Sequence, residues 1–293
     1  MPDEGAAQPL TLADALRRAT AELRRAGVEG PGNDARRLIS AALGLSAAQV
    51  LARPERPLRP EEAKRFGHLI ARRVAREPVS RILGEREFYG RTFGISPATL
   101  DPRPDSETLI DATLKLVAGE GWQSSGLRIL DVGTGSGCLL LTLLAELPGA
   151  FGVGTDVSVA ALETARANAV RLGLGRSAGW LAGDLLDPVR GRFDILISNP
   201  PYIPTSRIAQ VEPEVRRHDP LLALDGGLDG VSFFRRLSAR VAQIVPEGWI
   251  VLETGHDQAD AVATLLAAEG LRKISVQRDV AGRRRCVAVR TRN

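Results

Sequence analysis

The stretch Leu127-Arg-Ile-Leu-Asp-Val-Gly-Thr-Gly-Ser-Gly137 decides how this chain is read. Leu127 to Val132 is mostly apolar and too short for an ordinary helix, which predicts a strand. Gly133, Gly135 and Gly137 then alternate with Thr134 and Ser136, and the apolar run from Cys138 to Leu147 predicts a helix. In a strand–glycine loop–helix unit the main chain turns sharply and a ligand can touch the backbone. The usual dinucleotide spacing is G-x-G-x-x-G. Here the glycines alternate, so the loop by itself leaves the ligand open.

Outward from this loop, strands and helices alternate toward the C-terminus. Strands are predicted at Phe151–Asp156 and near 178–182, 193–198, 248–253, 274–279 and 285–290. Helices are predicted at Ser158–Leu172 and near 229–245 and 257–269. The alternation predicts an α/β fold whose mostly parallel sheet is covered on both faces. Ligands of such sheets sit beyond the carboxyl ends of the strands. Asp156 closes the second strand, and a carboxylate there can accept from both hydroxyls of a ribose. Asp184, in Gly183-Asp-Leu185, closes the third and is placed to meet an adenine edge. The ribose acid serves a nicotinamide dinucleotide or S-adenosylmethionine alike.

The fourth strand separates these two cofactors. Phe193-Asp-Ile-Leu-Ile197 runs into Ser198-Asn-Pro-Pro-Tyr202. Two prolines fix φ, remove two N–H donors and hold the residues before them extended. Such stiffness has no use in hydride transfer. It suits methylation of an amino or amide nitrogen, whose planar –NH2 needs one acceptor per hydrogen. The Asn199 side-chain oxygen is one acceptor and the Pro200 carbonyl the other, both positioned before substrate arrives. Pro201 completes the brace, and Tyr202 offers a ring to pack over the planar group. A neutral asparagine orients a neutral amide without burying a bare charge.

Upstream the character differs. Leu12–Ala19, Ala35–Leu43 and Glu61–Arg76 space apolar residues three and four apart, as helices do. Asn33 and Asp34 are N-cap candidates for the second of these. The predicted division is a helical domain over 1–77, a β-hairpin linker over 78–104 and the ligand-binding α/β domain over 105–293, whose first helix Asp105 or Ser106 can cap. At 293 residues, 44% hydrophobic and 25% charged, the chain can bury a sizeable core. A net charge of +4 with only 4% aromatic residues allows a nucleic-acid-associated partner without requiring one. Cys138 and Cys286 lie far apart in apolar surroundings, and His68, His218 and His256 form no cluster. That pattern speaks against a disulfide framework and against a metal site. The N-terminal stretch lacks a basic start followed by an apolar run, and no segment has the length of a membrane span. A cytoplasmic protein, off the membrane, is expected.

These residues resemble those of the glutamine N5-methyltransferases that modify bacterial peptide chain release factors (the PrmC, or HemK, family). Asp131–Gly137 is similar to the family's cofactor loop and Asn199–Tyr202 to its substrate motif, both shared with other amino-methyltransferases. More particular are Pro78-Val-Ser-Arg-Ile-Leu-Gly84, Glu87-Phe-Tyr-Gly90 and Pro102-Arg-Pro-Asp-Ser-Glu107. Glu253-Thr-Gly-His-Asp-Gln258 and Asp279-Val-Ala-Gly-Arg-Arg-Arg285 are similar to family segments too. The resemblance covers nearly the whole chain. It implies a mostly parallel seven-stranded, Rossmann-like class I methyltransferase sheet. It also implies S-adenosylmethionine as donor, the glutamine of a release factor's Gly-Gly-Gln motif as substrate, and recognition of the factor partly by the helical domain. Cofactor contacts carry over to Gly133, Thr134, Gly135, Ser136, Gly137, Asp156, Asp184, Leu185 and Asn199. Three positions depart from the pattern. Leu185 stands where an aromatic residue can stack on adenine, Arg81 where tyrosine is common, and Asp101 where an apolar residue is frequent.

Two other functions use the same residues. A nucleic-acid amino-methyltransferase would apply Asn199-Pro-Pro-Tyr202 to a flipped base. It would want a target-reading domain or a basic surface interleaved with aromatics, and no such segment stands out. A non-catalytic adapter for a release factor or the ribosome would carry a broken glycine loop or lack Asn199, and both are intact. A monomer that does not bind DNA directly is the expectation.

Overall fold

The computed structural model describes residues 10–123 and 126–291, in two compact units that divide after Gly84. The first is helical: α1 (Leu12–Arg25), α2 (Pro31–Leu43), α3 (Ala47–Ala52), α4 (Pro60–Val74) and α5 (Val79–Leu83). Thr11 caps α1, its hydroxyl accepting from the Asp14 amide at 3.2 Å. α2 starts earlier than its periodicity predicts. Gly30 takes the cap position at φ 62° and Pro31 opens the helix, where its missing N–H would be unpaired anyway. Asn33 and Asp34 therefore lie inside the first turn and cap nothing, and Asp34 pairs instead with Arg73 of α4 at 2.7 Å. Leu23, Leu38, Ile39, Phe66 and Ile70 share the core. Glu62, also buried, takes Arg56 at 2.8 Å and Arg59 at 2.7 Å. Those two guanidiniums, with the Arg59 amide, hold its carboxyl far below the usual carboxylate range.

Residues 78–84, expected to open a hairpin, are helical instead: α5 follows Pro78 and stops at Gly84, at φ 74°. The hairpin itself is β1 (Glu85–Phe88) and β2 (Arg91–Gly94). Tyr89 and Gly90 join them, both at positive φ, the two-residue turn whose twist matches that of the strands.

The second unit begins with this hairpin. A 3₁₀ turn at Pro104–Ser106 leads into α6 (Glu107–Gly119). Then follow β3 (Arg128–Val132), α7 (Cys138–Glu146), β4 (Phe151–Asp156), α8 (Val159–Arg171), β5 (Ala178–Ala182) and β6 (Ile195–Ser198). α9 (Pro213–His218), α10 (Ser232–Ile244), β7 (Trp249–Glu253), α11 (Ala259–Ala268), β8 (Arg272–Arg278) and β9 (Arg284–Arg290) complete it. The sheet order is β5-β4-β3-β6-β7-β9-β8, and only β9 runs against its neighbours. This is the mostly parallel, seven-stranded Rossmann-like sheet that the alternation and the resemblance predict.

Successive strand residues feed two cores. Ile129, Ile195, Ile197 and Val251 face the one built with α6 and α7. Leu130, Leu196, Ile250 and Leu252 face the one built with α10 and α11. Both faces are covered, so the central strands are apolar throughout rather than alternating. The strand order reverses between β3 and β6, and a ligand crevice opens at such a switch point. Among the described residues no helix is long and apolar enough to cross a membrane.

Candidate active site

β3, β4, β5 and β6 deliver their carboxyl ends to one cavity of ≈ 640 Å³ in the second unit. At β3 the chain enters the glycine loop, where Gly133, Gly135 and Gly137 take φ of 74°, 55° and 78°, conformations that a side chain would strain. The loop is fastened to β4: the Gly133 and Thr134 amides donate to the Thr155 carbonyl at 2.8 and 2.9 Å. A Cβ at Gly137 would press on Ala165 and Leu141 at 3.1 Å, whereas at Gly133 or Gly135 it would meet nothing within 4 Å. Gly137 thus serves close packing, and the open side of the other two is room for a ligand.

Asp131, before the loop, is buried. Thr134 donates to one of its oxygens at 2.6 Å and the other has no partner. Burial pushes its pKa up to about 7; the Thr134 bond opposes the rise and the Asp156 charge adds to it. Asp156 ends β4 with its two oxygens accepting the Gly135 and Ser158 amides, both at 2.9 Å. Each oxygen keeps a further lone pair, so the carboxylate that shapes the loop can still accept from a ligand's hydroxyls. Asp184 follows β5, half exposed and paired with Arg236 at 2.5 Å. Leu185 beside it lines the cavity at φ 49°, a costly backbone state for a branched residue.

At β6, the Asn199 Nδ2 donates to the Ser106 hydroxyl at 3.0 Å. The amide nitrogen is thereby committed to the protein, and the oxygen is the acceptor left for a ligand. Pro201 lines the cavity with Asn199; Gly137, Pro200 and Tyr202 are not among its lining residues. Tyr202 is held from elsewhere: its hydroxyl donates to Glu253 Oε1 at 3.2 Å, and its carbonyl accepts from Gln258 Nε2 at 2.9 Å. Glu253 ends β7, buried, with Oε2 unpartnered. Burial raises its pKa to about 7, against the pull of the Ser106 hydroxyl, Arg285 and Tyr202.

Ser106 and Asp105, expected as helix caps, do not cap α6. An N-cap needs extended backbone, and Ser106 sits at φ −69°, ψ −14°. Its hydroxyl meets Asn199 instead, and Asp105 pairs with Arg285 at 2.8 Å. Sequence reasoning missed Ser106 and Glu253 as members of this site, and with them Arg103, Leu221 and Leu222 of the cavity wall. The available signals were the family-like segments Pro102–Glu107, which holds Arg103 and Ser106, and Glu253–Gln258, which opens on Glu253. The expected donor fits what is present: open space over glycine backbone, an acid with unused lone pairs, and a cavity in the size range of small-molecule sites.

Two family profiles match the chain: the PrmC N-terminal domain over residues 14–84 and the methyltransferase small domain over residues 106–215. The release factor glutamine methyltransferase of Rhodospirillum rubrum is 47% identical over 292 residues, covering 99% of this chain and 88% of its own. That of Bradyrhizobium diazoefficiens is 48% identical over 262 residues, covering 89% and 88%. Among solved structures, the N-terminal domain of human METTL16 in complex with SAH superposes with a TM-score of 0.53 at 18% identity. It covers 82% of this chain and 86% of its own. At that identity the likeness speaks for the fold alone.

Proposed function

The chain belongs to the release factor glutamine methyltransferase family, and from that membership we propose its reaction and the part each residue takes. The protein methylates N5 of a glutamine side chain in peptide chain release factors, the glutamine of their Gly-Gly-Gln motif. S-adenosylmethionine, when bound, supplies a methyl group already activated on a sulfonium. Gly133, Thr134, Gly135 and Ser136 would hold it through the main chain, Asp156 at its ribose hydroxyls, and Asp184 and Leu185 at its adenine end. Gly137 keeps the loop turned.

The observation that carries this reading is the orientation of Asn199, nitrogen on Ser106 and oxygen unspent. A substrate carboxamide brings two N–H donors. Asn199 Oδ1 accepts one and the Pro200 carbonyl the other, while Pro201 keeps the pair extended. Tyr202, anchored through its hydroxyl and its carbonyl, limits how far the planar group can tilt. Holding a weak nucleophile in one attitude, with water excluded, is the chain's main contribution to rate.

Residues 1–77 are read as the domain that recognises the factor, 78–104 as the linker and 105–293 as the catalytic domain. We place the end of the first at Gly84, because α5 belongs to the helical unit and the N-terminal profile stops at the same residue. The protein is read as a cytoplasmic monomer that acts on protein and not on DNA. Labelled S-adenosylmethionine should mark a purified release factor, and should leave unmarked a factor whose Gly-Gly-Gln glutamine is replaced. Label in DNA or ribosomal RNA instead would overturn the substrate. Saturable donor binding without product on any of them would favour the adapter.

A further inference from the structure

We propose that Ser198 is a positioning residue that sets the gap between donor and substrate, by tying the strand that carries the glycine loop to the strand that carries Asn199. The inference rests on the roles given above to that loop and to Asn199, and adds what fixes their separation. The strands are β3 and β6, and each passes directly into its functional residue. Gly133 follows Val132, and Asn199 follows Ser198. The backbone ladder between the two strands ends one step earlier, at Asp131 and Ile197. Beyond it each strand stays paired with its outer neighbour, Val132 with Thr155 of β4 and Ser198 with Leu252 of β7. The crevice of the switch point opens between them.

A side-chain bond spans that opening at its base. The buried Ser198 hydroxyl donates to the Val132 carbonyl at 2.6 Å. The direction is fixed, because a carbonyl can only accept. Val132, Gly133 and Asn199 line the cavity, whereas Ser198 is not among the lining residues. Any effect of Ser198 on the reaction therefore passes through its neighbours. Each half is fastened separately on its far side. On the donor side the Gly133 and Thr134 amides bond the Thr155 carbonyl. On the substrate side the Tyr202 carbonyl accepts from Gln258 Nε2 at 2.9 Å. Ile203 donates to the Leu224 carbonyl at 3.0 Å and accepts the Gly226 amide at 2.9 Å. Two glycines leave no slack there. A Cβ at Gly226 would come within 2.8 Å of the Tyr202 Cα, and one at Gly230 within 2.5 Å of the Tyr202 carbonyl oxygen. Pro200 and Pro201 stiffen the span between Asn199 and Tyr202. Freed at Ser198, the span would pivot about its fastened far end, and Asn199 and Pro200 would shift together against the donor. Misplacing reacting groups by about 1 Å can cost about 10²-fold in rate, so a fraction of an ångström is worth about tenfold.

The test is single-turnover methyl transfer to a release factor with both ligands saturating, which reads the chemical step apart from binding and release. On the same preparations, S-adenosylhomocysteine affinity is measured by calorimetry and the KM for the factor by steady-state assay. Ser198→Ala should lower the single-turnover rate about tenfold, with affinity and KM both held within about twofold. Ser198→Cys, which has a weaker donor of similar size, should lose about threefold. This second variant decides the matter should Ser198→Ala fold poorly. An undiminished rate in each variant that folds would overturn the positioning role. So would a loss matched by an equal loss of S-adenosylhomocysteine affinity, the mark of a donor loop that has merely loosened. Either result leaves Asn199 its role. An undiminished rate in Asn199→Ala, by contrast, would overturn the proposed site itself.

Discussion

Asp156 carries two tasks on one carboxylate. It accepts the Gly135 and Ser158 amides and keeps two lone pairs, which the proposed site gives to a ribose. Replacement by alanine removes both functions together. Hydrogen bonds to a charged group contribute about 1.5–3 kcal/mol each, so Asp156→Ala should weaken S-adenosylhomocysteine binding by at least about 10²-fold in calorimetry. Asp156→Asn should do almost as badly, since its amide must set an N–H against the Gly135 or the Ser158 amide. Unchanged affinity in either variant would exclude the ribose contact. Asp156 could be found in the sequence because its cue is local, an acid at the end of the strand after a glycine loop. Asp184 carries the same cue, but Arg236, 52 residues away, already claims its carboxylate. The local cue of Ser106 pointed to a helix cap instead, because its partner Asn199 is 93 residues distant.

Elements meet in this fold through single buried polar side chains, and Asn168 of α8 is the clearest. Its oxygen accepts the Gly94 amide of β2 at 2.7 Å, and its nitrogen donates to the Gly94 carbonyl at 2.9 Å and to the Ser136 carbonyl at 2.8 Å. One residue thus ties helix, hairpin and glycine loop. Asn168→Ala would strand three backbone groups, at a cost on the order of 3 kcal/mol. A thermal melt should show Tm lowered by roughly 10 °C, and calorimetry should show weaker donor binding, because Ser136 loses its anchor. A variant with unchanged Tm would mean that water or another side chain takes over these bonds. α8 itself was plain from the apolar spacing of Ser158–Leu172, yet nothing in that spacing marks Asn168 as buried. The short α5 was misread for a related reason. Val79–Leu83 is a single turn with β-branched Val79 and Ile82, and its helical state comes from packing with α2 and α4, which no local pattern carries.

At the scale of the whole molecule, the carboxyls of Asp131 and Glu253 are kept in places that oppose their ionisation. Thr134 bonds Asp131, and the charge of Asp156 acts on it; Tyr202 bonds Glu253, and the charges of Arg285 and Asp105 act on it. Burial lifts both to about 7, while in the unfolded chain both titrate near about 4. Between those values the folded protein holds protons that the unfolded chain has released, so stability rises as pH falls through that window. Glu62 acts in the opposite sense. Arg56 and Arg59 depress it, so its contribution is complete above the ordinary glutamate value and is lost as pH falls below it. Thermal melts of the donor-free protein should therefore give a Tm at about pH 5.5 at least about 5 °C above that at about pH 8, with a decline setting in below about pH 4. The double variant Asp131→Asn, Glu253→Gln should flatten the upper limb and leave the acid decline in place. Glu62→Gln should reduce the decline and leave the upper limb. A Tm that drops steadily from about pH 8 to about pH 5.5 would mean that both carboxyls stay charged in the fold. Both acids stand at strand ends beside the proposed site: Asp131 on β3, before the glycine loop, and Glu253 at the end of β7, next to the strand that leads to Asn199.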